Sequence, residues 1–97
     1  MPQKRFAFFR ASHILVKSES EANVVLYDLN SGKDFGTVAK DKSICPSKKN
    51  GGNLGWFGKG QMVREFENAA FSMKKGELSK PVKSQFGWHI IKVEDLK

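Results

Sequence analysis

Two stretches decide the fold: Ala11-Ser12-His13-Ile14-Leu15-Val16-Lys17 near the start, and Gln85-Phe86-Gly87-Trp88-His89-Ile90-Ile91-Lys92-Val93 near the end. They hold the only two histidines of the chain. Each histidine sits in a run of β-branched and aliphatic residues that reads as a buried strand. Alternation along a strand puts His13 on one face with Ala11 and Leu15, and His89 on one face with Ile91 and Val93. Both imidazoles therefore point at apolar surroundings, where each needs a hydrogen-bond partner. If the two strands are neighbours, the cheapest partner for either ring is the other.

Outward from these strands, local signals divide the chain. A first strand is expected over 6–16. Ser18-Glu19-Ser20-Glu21 fits a capping box, with Ser18 as N-cap and Glu21 reaching back. Ala22, Val25, Leu26 and Leu29 follow at helical spacing and put one stripe against a sheet. Gly32 suits the residue just past the helix end. Asp34 caps a second, shorter helix that turns Phe35, Val38 and Ala39 inward. Residues 43–53 read as loop, closed by Gly51-Gly52 before a short strand over 53–57. A third helix is expected over 63–73, with Phe66, Ala70 and Met73 on one stripe and Gly76 closing it. Pro81 opens a third strand, where its missing N–H is tolerated. Phe86-Gly87 turns the chain into the last strand. The order β-α-α-β-α-β-β argues for an α+β domain built on a four-stranded antiparallel sheet. No repeat, low-complexity tract or linker interrupts it, so residues 1–97 read as a single domain.

The bulk numbers agree. At 97 residues and 39% hydrophobic, the chain has a continuous but thin core. Eight Phe and two Trp are many for this length, enough to line a pocket as well as fill a core. No run reaches the length of a membrane helix. The basic and apolar start, Met1 to Phe9, is broken too soon by Arg10 for a signal peptide and is expected to be an edge or first strand. A lone cysteine excludes an internal disulfide, and a cytoplasmic home is the expectation. The net charge of +7, from 17 Lys and Arg against 10 Asp and Glu, is spread along the chain rather than clustered. That suits a soluble monomer with a positive field. Weak binding of nucleic acid or an anionic membrane through the scattered lysines stays open as a minor partner.

The segments between the histidines carry a resemblance. Asp34-Phe35-Gly36-Thr37-Val38-Ala39-Lys40 leads into Ser43-Ile44-Cys45-Pro46-Ser47. Gly51-Gly52-Asn53-Leu54-Gly55-Trp56-Phe57 and Gly60-Gln61-Met62-Val63 come next. Glu65-Phe66-Glu67-Asn68-Ala69-Ala70-Phe71-Ser72, Gly76-Glu77 and Pro81-Val82 follow in order. With the histidine strands, this set closely resembles the parvulin family of peptidyl-prolyl cis/trans isomerases, from about Ser12 to Val93. The resemblance implies the parvulin (FKBP-like) fold, with a four-stranded sheet wrapped by helices. It also implies catalysed rotation about Xaa-Pro bonds in client polypeptides. An excised domain of a larger secreted foldase would look similar to a stand-alone member.

The implied reaction breaks no bond. The rotational barrier of an amide is roughly 18–20 kcal/mol, because the C–N bond has partial double-bond character. A catalyst must bind the twisted amide better than the planar one. It needs an apolar seat for the pyrrolidine ring and a desolvated site, and neither a metal nor a cofactor. Met62, Phe66 and Phe71 match the family's proline-pocket positions, with Leu54 at the edge. Each would pass as core packing in isolation. Cys45 matches the position where relatives carry Cys or Asp beside the amide. It is expected to tune the electrostatics rather than attack the carbonyl. As a plain alternative it is a small buried hydrophobe. His13 and His89 match the family's paired histidines, and Ser84 the hydroxyl that extends their network. Structural support of the site is preferred for the pair over proton transfer. A zinc site from His13, His89 and Cys45 lacks local ligand spacing. The arginine pair that binds phosphoserine or phosphothreonine in one parvulin branch has no counterpart after Lys17, where Ser18-Glu19-Ser20-Glu21 follows at once. No phosphate requirement is expected.

Overall fold

The computed structural model describes residues 8–97. Its elements are β1 (Phe8–Val16), α1 (Glu19–Asn30), α2 (Phe35–Lys42), a 3₁₀ turn (Pro46–Asn50), β2 (Asn53–Gly58), α3 (Arg64–Phe71), β3 (Val82–Ser84) and β4 (Gly87–Leu96). The expected order of strands and helices is met. The start of the first strand at Phe6, and the N-terminal patch up to Ala7, lie outside the described residues. The four strands form one antiparallel sheet in the order β2-β1-β4-β3.

The two histidine strands occupy the centre of that sheet. Their register pairs Leu15 with His89 and His13 with Ile91, so the two imidazoles are diagonal neighbours on one face. Both faces of the sheet are covered. On the histidine face Phe9, Ala11, Ile91 and Val93 pack with Phe57 and with Phe66 and Ala70 of α3. On the other face Ile14, Val16 and Ile90 pack with Ala22 and Val25 of α1 and Val38 and Ala39 of α2. This is why the central strands read as nearly unbroken apolar runs: alternate residues are buried on opposite sides. Ser12 falls on the second face, where its hydroxyl donates to the Glu94 carboxylate at 3.0 Å.

Helix boundaries follow the side-chain chemistry, with some corrections. The Ser18 hydroxyl accepts from the Glu21 N–H at 3.2 Å. The Glu21 carboxylate accepts from that same hydroxyl, rather than from the Ser18 backbone. Asp34 caps α2 by accepting from the Thr37 N–H. The segment 43–53 is not all loop, because Pro46 starts a 3₁₀ turn that ends at Gly51, φ +69°. The third helix is shorter than 63–73. Val63 is its N-cap and Ser72 its C-cap, with the Ser72 hydroxyl donating to the Ala69 carbonyl. Gly76 therefore does not close the helix. Its N–H donates to the Val93 carbonyl and starts a strap along β4. That strap continues through the Ser79 N–H to the Ile91 carbonyl, while the Ser79 hydroxyl accepts the Ile91 N–H. β3 resumes only at Val82, after Pro81, which has no N–H to give.

Two glycines are required by close backbone approach. At Gly52, φ +87°, a Cβ would lie 2.5 Å from the His13 carbonyl oxygen. At Gly87, φ +136°, a Cβ would lie 2.5 Å from the Val16 carbonyl oxygen. Both contacts are with the backbone of β1, which cannot swing aside. Gly52→Ala and Gly87→Ala are each expected to destabilise the domain by about 2–3 kcal/mol, from positive-φ strain and overpacking together. Urea unfolding midpoints check this, and a loss under about 0.5 kcal/mol at either position would contradict the close approach.

Candidate active site

The site is assembled around the C-terminal half of β1. Two separate segments are tied to it by three hydrogen bonds. The His13 N–H donates to the Gly52 carbonyl at 2.9 Å, which brings in the start of β2. The Ile44 N–H donates to the Leu15 carbonyl at 2.8 Å. The Leu15 N–H donates to the Ser43 hydroxyl at 3.0 Å. That hydroxyl, buried at 3% exposure, also accepts from the Cys45 N–H at 3.3 Å. Ser43 thus pins the loop that carries Cys45 to the strand that carries His13. Nothing in the local sequence signalled this role, since one hydroxyl serves two chain segments 28 residues apart.

The imidazoles meet as alternation predicts. His13 Nδ1 and His89 Nδ1 lie 3.0 Å apart, with the rings stacked at 23° and the centroids at 5.1 Å. One nitrogen carries the shared hydrogen and the other accepts it. His89 Nε2 is 2.6 Å from the Ser84 hydroxyl, and that hydroxyl accepts from the Phe86 N–H at 3.1 Å. His13 Nε2 is buried and has no partner among the described residues. The ring of Phe66 stands edge-on to both imidazoles, each centroid at 5.7 Å, and meets Phe57 at the same distance. Phe66 is therefore both core and site, so the two roles weighed for it are not alternatives.

Burial drives the electrostatics. Desolvation, and secondarily the charge that His89 would carry, lowers the His13 pKa from 6.5 to about 4. Desolvation also lowers that of His89, against a smaller opposing pull from Glu65. At neutral pH both rings are neutral. Protonating both would set two N–H donors against each other across the 3.0 Å contact.

Beside this pair lies an open pocket of about 430 Å³. His13, Leu15, His89 and Phe66 line it together with Ile44, Cys45, Pro46, Leu54, Gln61, Met62, Val63 and Phe86. The lining is predominantly apolar, as a pyrrolidine seat requires. Of the residues expected there from sequence, Leu54, Met62, Phe66, Cys45, His13 and His89 come together. Ser84 stands behind His89 rather than on the pocket wall. Phe71, which could have served core and pocket alike, packs on the core side. It lies off the pocket, with its ring edge-on to Phe9 at 4.1 Å in the core of the histidine face. Five residues past Phe66, about 1.4 helical turns, it presents a different side of α3. Met62 lies just before α3, as the expected helix start at 63 implied. Its turn is held by Gln61 Oε1, which accepts the Gly58 N–H, and by the Glu67 carboxylate, which accepts the Gly60 N–H. The Cys45 thiol is free and accepts from the Ser47 hydroxyl at 3.2 Å. Sequence reasoning had not placed Ile44, Pro46, Gln61, Val63 or Phe86 on the wall. The signal lay in their adjacency to residues already singled out.

The comparisons with known proteins agree with this geometry. The rotamase family described as the PPIC-type PPIASE domain matches residues 13–95. A foldase protein PrsA of Geobacillus kaustophilus is 58% identical over 87 residues, which are 89% of this chain and 31% of that protein. The crystal structure of peptidylprolyl isomerase (PrsA) from Bacillus anthracis superposes with a TM-score of 0.93 at 44% identity, covering 95% of this chain and 43% of that one. The solution structure of NmPin, the parvuline of Nitrosopumilus maritimus, gives 0.83 at 49% identity, covering 93% and 98%. The chain thus spans about a third of the length of the curated relatives it matches, and nearly all of the small parvulin. An antiparallel sheet with paired imidazoles under an apolar pocket is the architecture of a parvulin-type isomerase. The chain belongs to the PPIC-type peptidyl-prolyl cis/trans isomerase family.

The lowered His13 pKa sets a pH dependence. Above pH 6.5 neither the folded nor the unfolded ring is charged, and the full stability is present. From pH 6.5 down to about 4 the unfolded chain binds a proton that folded His13 refuses, so stability falls through that window. Unfolding free energies between pH 7.5 and 4, with the imidazole carbon-bound protons followed by NMR, check this. A His13 ring titrating near 6.5 in the folded domain would contradict it. Ser84→Ala removes the partner of His89 Nε2 and is expected to cost about 1–3 kcal/mol. Ser43→Ala strands two backbone N–H groups and is expected to cost at least as much.

Proposed function

We propose that this domain turns over Xaa-Pro bonds in exposed segments of client polypeptides by holding the twisted amide, with no covalent intermediate and no phosphate requirement. The observation that carries this is the apolar pocket with a neutral, hydrogen-bonded imidazole pair and Phe66 at its base. The pyrrolidine ring seats against Met62, Phe66 and Leu54. This removes it and the neighbouring amide from water, and a twisted amide has lost the resonance that water's hydrogen bonds to the planar carbonyl favour. The histidines act by position. Buried and neutral, they hold β1 and β4 at the spacing that shapes the floor, and His13 Nε2 offers a polar atom in an otherwise dry surround. Cys45 tunes the wall beside the amide. An acyl intermediate would be a detour, since rotation leaves every bond intact.

Phosphate independence rests on the short connection after β1. Only Lys17 and Ser18 separate β1 from α1, and the first turn of α1 carries Glu19 and Glu21. Ser18 and Glu21 are occupied with each other in the cap. Arg10 is turned toward Trp56 on β2, 5.9 Å from the ring centre. A dianionic phosphate would find no guanidinium fork in this connection. The similarity to foldase proteins supports polypeptide chains in the course of folding as the clients.

Catalysed exchange on peptides of the Ala-Xaa-Pro-Phe type tests the proposal. Met62→Ala is expected to lower kcat/KM by about tenfold or more, and Cys45→Asp to keep it within about tenfold of the parent. Peptides with phosphoserine before proline are expected to turn over no faster than their unmodified forms. A strong phosphate preference would remove that part of the proposal, and complete loss in Cys45→Asp would restore a chemical role for the thiol.

A further inference from the structure

The helices α1 and α2 cover one sheet face over Ile14, Val16 and Ile90, and leave the other end of that face bare. Two rows of residues cross the bare end. Trp56 of β2 stands opposite Arg10 of β1, and Arg10 opposite Asp95 of β4. Two residues away, Gly58 stands opposite Phe8, and Phe8 exchanges both backbone hydrogen bonds with Lys97, at 2.7 and 3.0 Å. Phe9 and Phe57, which alternate with these residues, point into the core of the histidine face, so Phe8, Arg10 and Trp56 point the other way. None of the three belongs to a core cluster. Phe8 is 45% exposed and Trp56 40%. Two cations lie over the Trp56 ring, Lys97 Nζ at 4.4 Å and the Arg10 guanidinium at 5.9 Å from its centre. Arg10 Nε is buried without a hydrogen-bond partner, and Arg10 makes no ion pair among the described residues. The carboxylates at this end are engaged elsewhere: Asp95 pairs with Lys75 at 3.4 Å, and Glu94 accepts from the Ser12 hydroxyl at 3.0 Å.

We infer that this end of the sheet is a platform for single-stranded nucleic acid, with bases stacked on Phe8 and Trp56 and phosphates held by Arg10 and Lys97. The platform lies on the sheet face opposite the pocket and is independent of the proline-pocket reading. Aromatic rings on neighbouring strands of a bare sheet face offer stacking to any base, and cations beside them take the backbone charge. Gly58, opposite Phe8, carries no side chain, so the space beside that ring is open to a base. The net charge of +7 adds long-range attraction for a polyanion. A protein partner suits the patch less well. The buried centre of a protein interface is depleted in charge and in lysine, whereas here cations lie among the rings. A duplex suits it less well too, because its base faces are already stacked on one another.

The test uses the 97-residue chain and a fluorescein-labelled oligothymidylate of about ten nucleotides, with anisotropy read from low to physiological salt. Trp56→Ala and Arg10→Gln are each expected to weaken binding by about tenfold. Arg10→Gln is also expected to flatten the slope of log affinity against log salt by about 0.7, the loss of one phosphate contact. Amide NMR spectra check that both variants fold, and turnover of Ala-Xaa-Pro-Phe peptides is expected to stay at the parent level, since neither residue lines the pocket. A second measurement does not depend on removing the platform. Trp88→Phe leaves Trp56 as the sole tryptophan, and its fluorescence is expected to be quenched as the oligonucleotide binds. No binding at low salt, an affinity unchanged in either platform variant, or an unquenched Trp56 in the saturated complex overturns the platform. A duplex of the same length bound as tightly as the single strand overturns it as well. Equal displacement of the oligonucleotide by poly-glutamate overturns it in favour of an acidic polypeptide as the partner.

Discussion

The hydrogen bond between His13 and His89 depends on a sheet register that places two imidazoles on adjacent strands, on one face, in a dry environment. Everything near the site is arranged around that register. A one-residue slip of β4 against β1 would turn His89 to the opposite face, where α1 and α2 pack, and part the two rings. It would also exchange the residues presented to α3 for those presented to the other helices. The two aliphatic layers are thus what specify the register, and the register makes the imidazole pair. The pair in turn excludes charge from the floor of the pocket, because a buried imidazolium has no carboxylate close enough to offset its desolvation.

β1 is the element on which the other segments converge. Its N-terminal half is paired on both sides by strands. Its C-terminal half is paired by β4 on one side and, on the other, by single hydrogen bonds from Gly52, Ser43 and Ile44. This half-open edge is what creates the pocket. Continued β2 pairing along it would fill the space with backbone. Instead the chain leaves the edge, turns through Pro46 to Asn50, and leaves a concavity between Cys45, Met62 and the imidazole floor. An unpaired edge strand invites association with other chains. Here its donors and acceptors are taken up one at a time by loops, and the opening is kept for a ligand.

Much of this was legible from residue patterns. The period-two runs around His13 and His89 carried the burial, the shared face and the mutual hydrogen bond. Ser18, Asp34 and Gly32 marked helix ends by capping chemistry that acts within a few residues. Other features were not legible, for a consistent reason. The helix ended at Ser72 rather than near Gly76, because Gly76 is engaged by β4, a strand far along the chain. Phe71 matched a pocket position in the family pattern, yet its ring is taken by Phe9 in the core. Ser43 carried no local signal for its place between two segments. In each case the deciding partner is remote in sequence, and no periodicity encodes a remote partner.

Local chemistry in the sequence therefore determined the elements, their caps, the apolar faces and the burial of both histidines, because these depend on interactions within one strand or one helical turn. The tertiary structure alone decided which strand edge stays open, which aromatic rings serve the pocket and which the core, and that Phe8 and Trp56 stand exposed on one bare end of the sheet. Those outcomes depend on side chains and carbonyls brought together from separate parts of the chain, and a contact of that kind exists only once the sheet has closed.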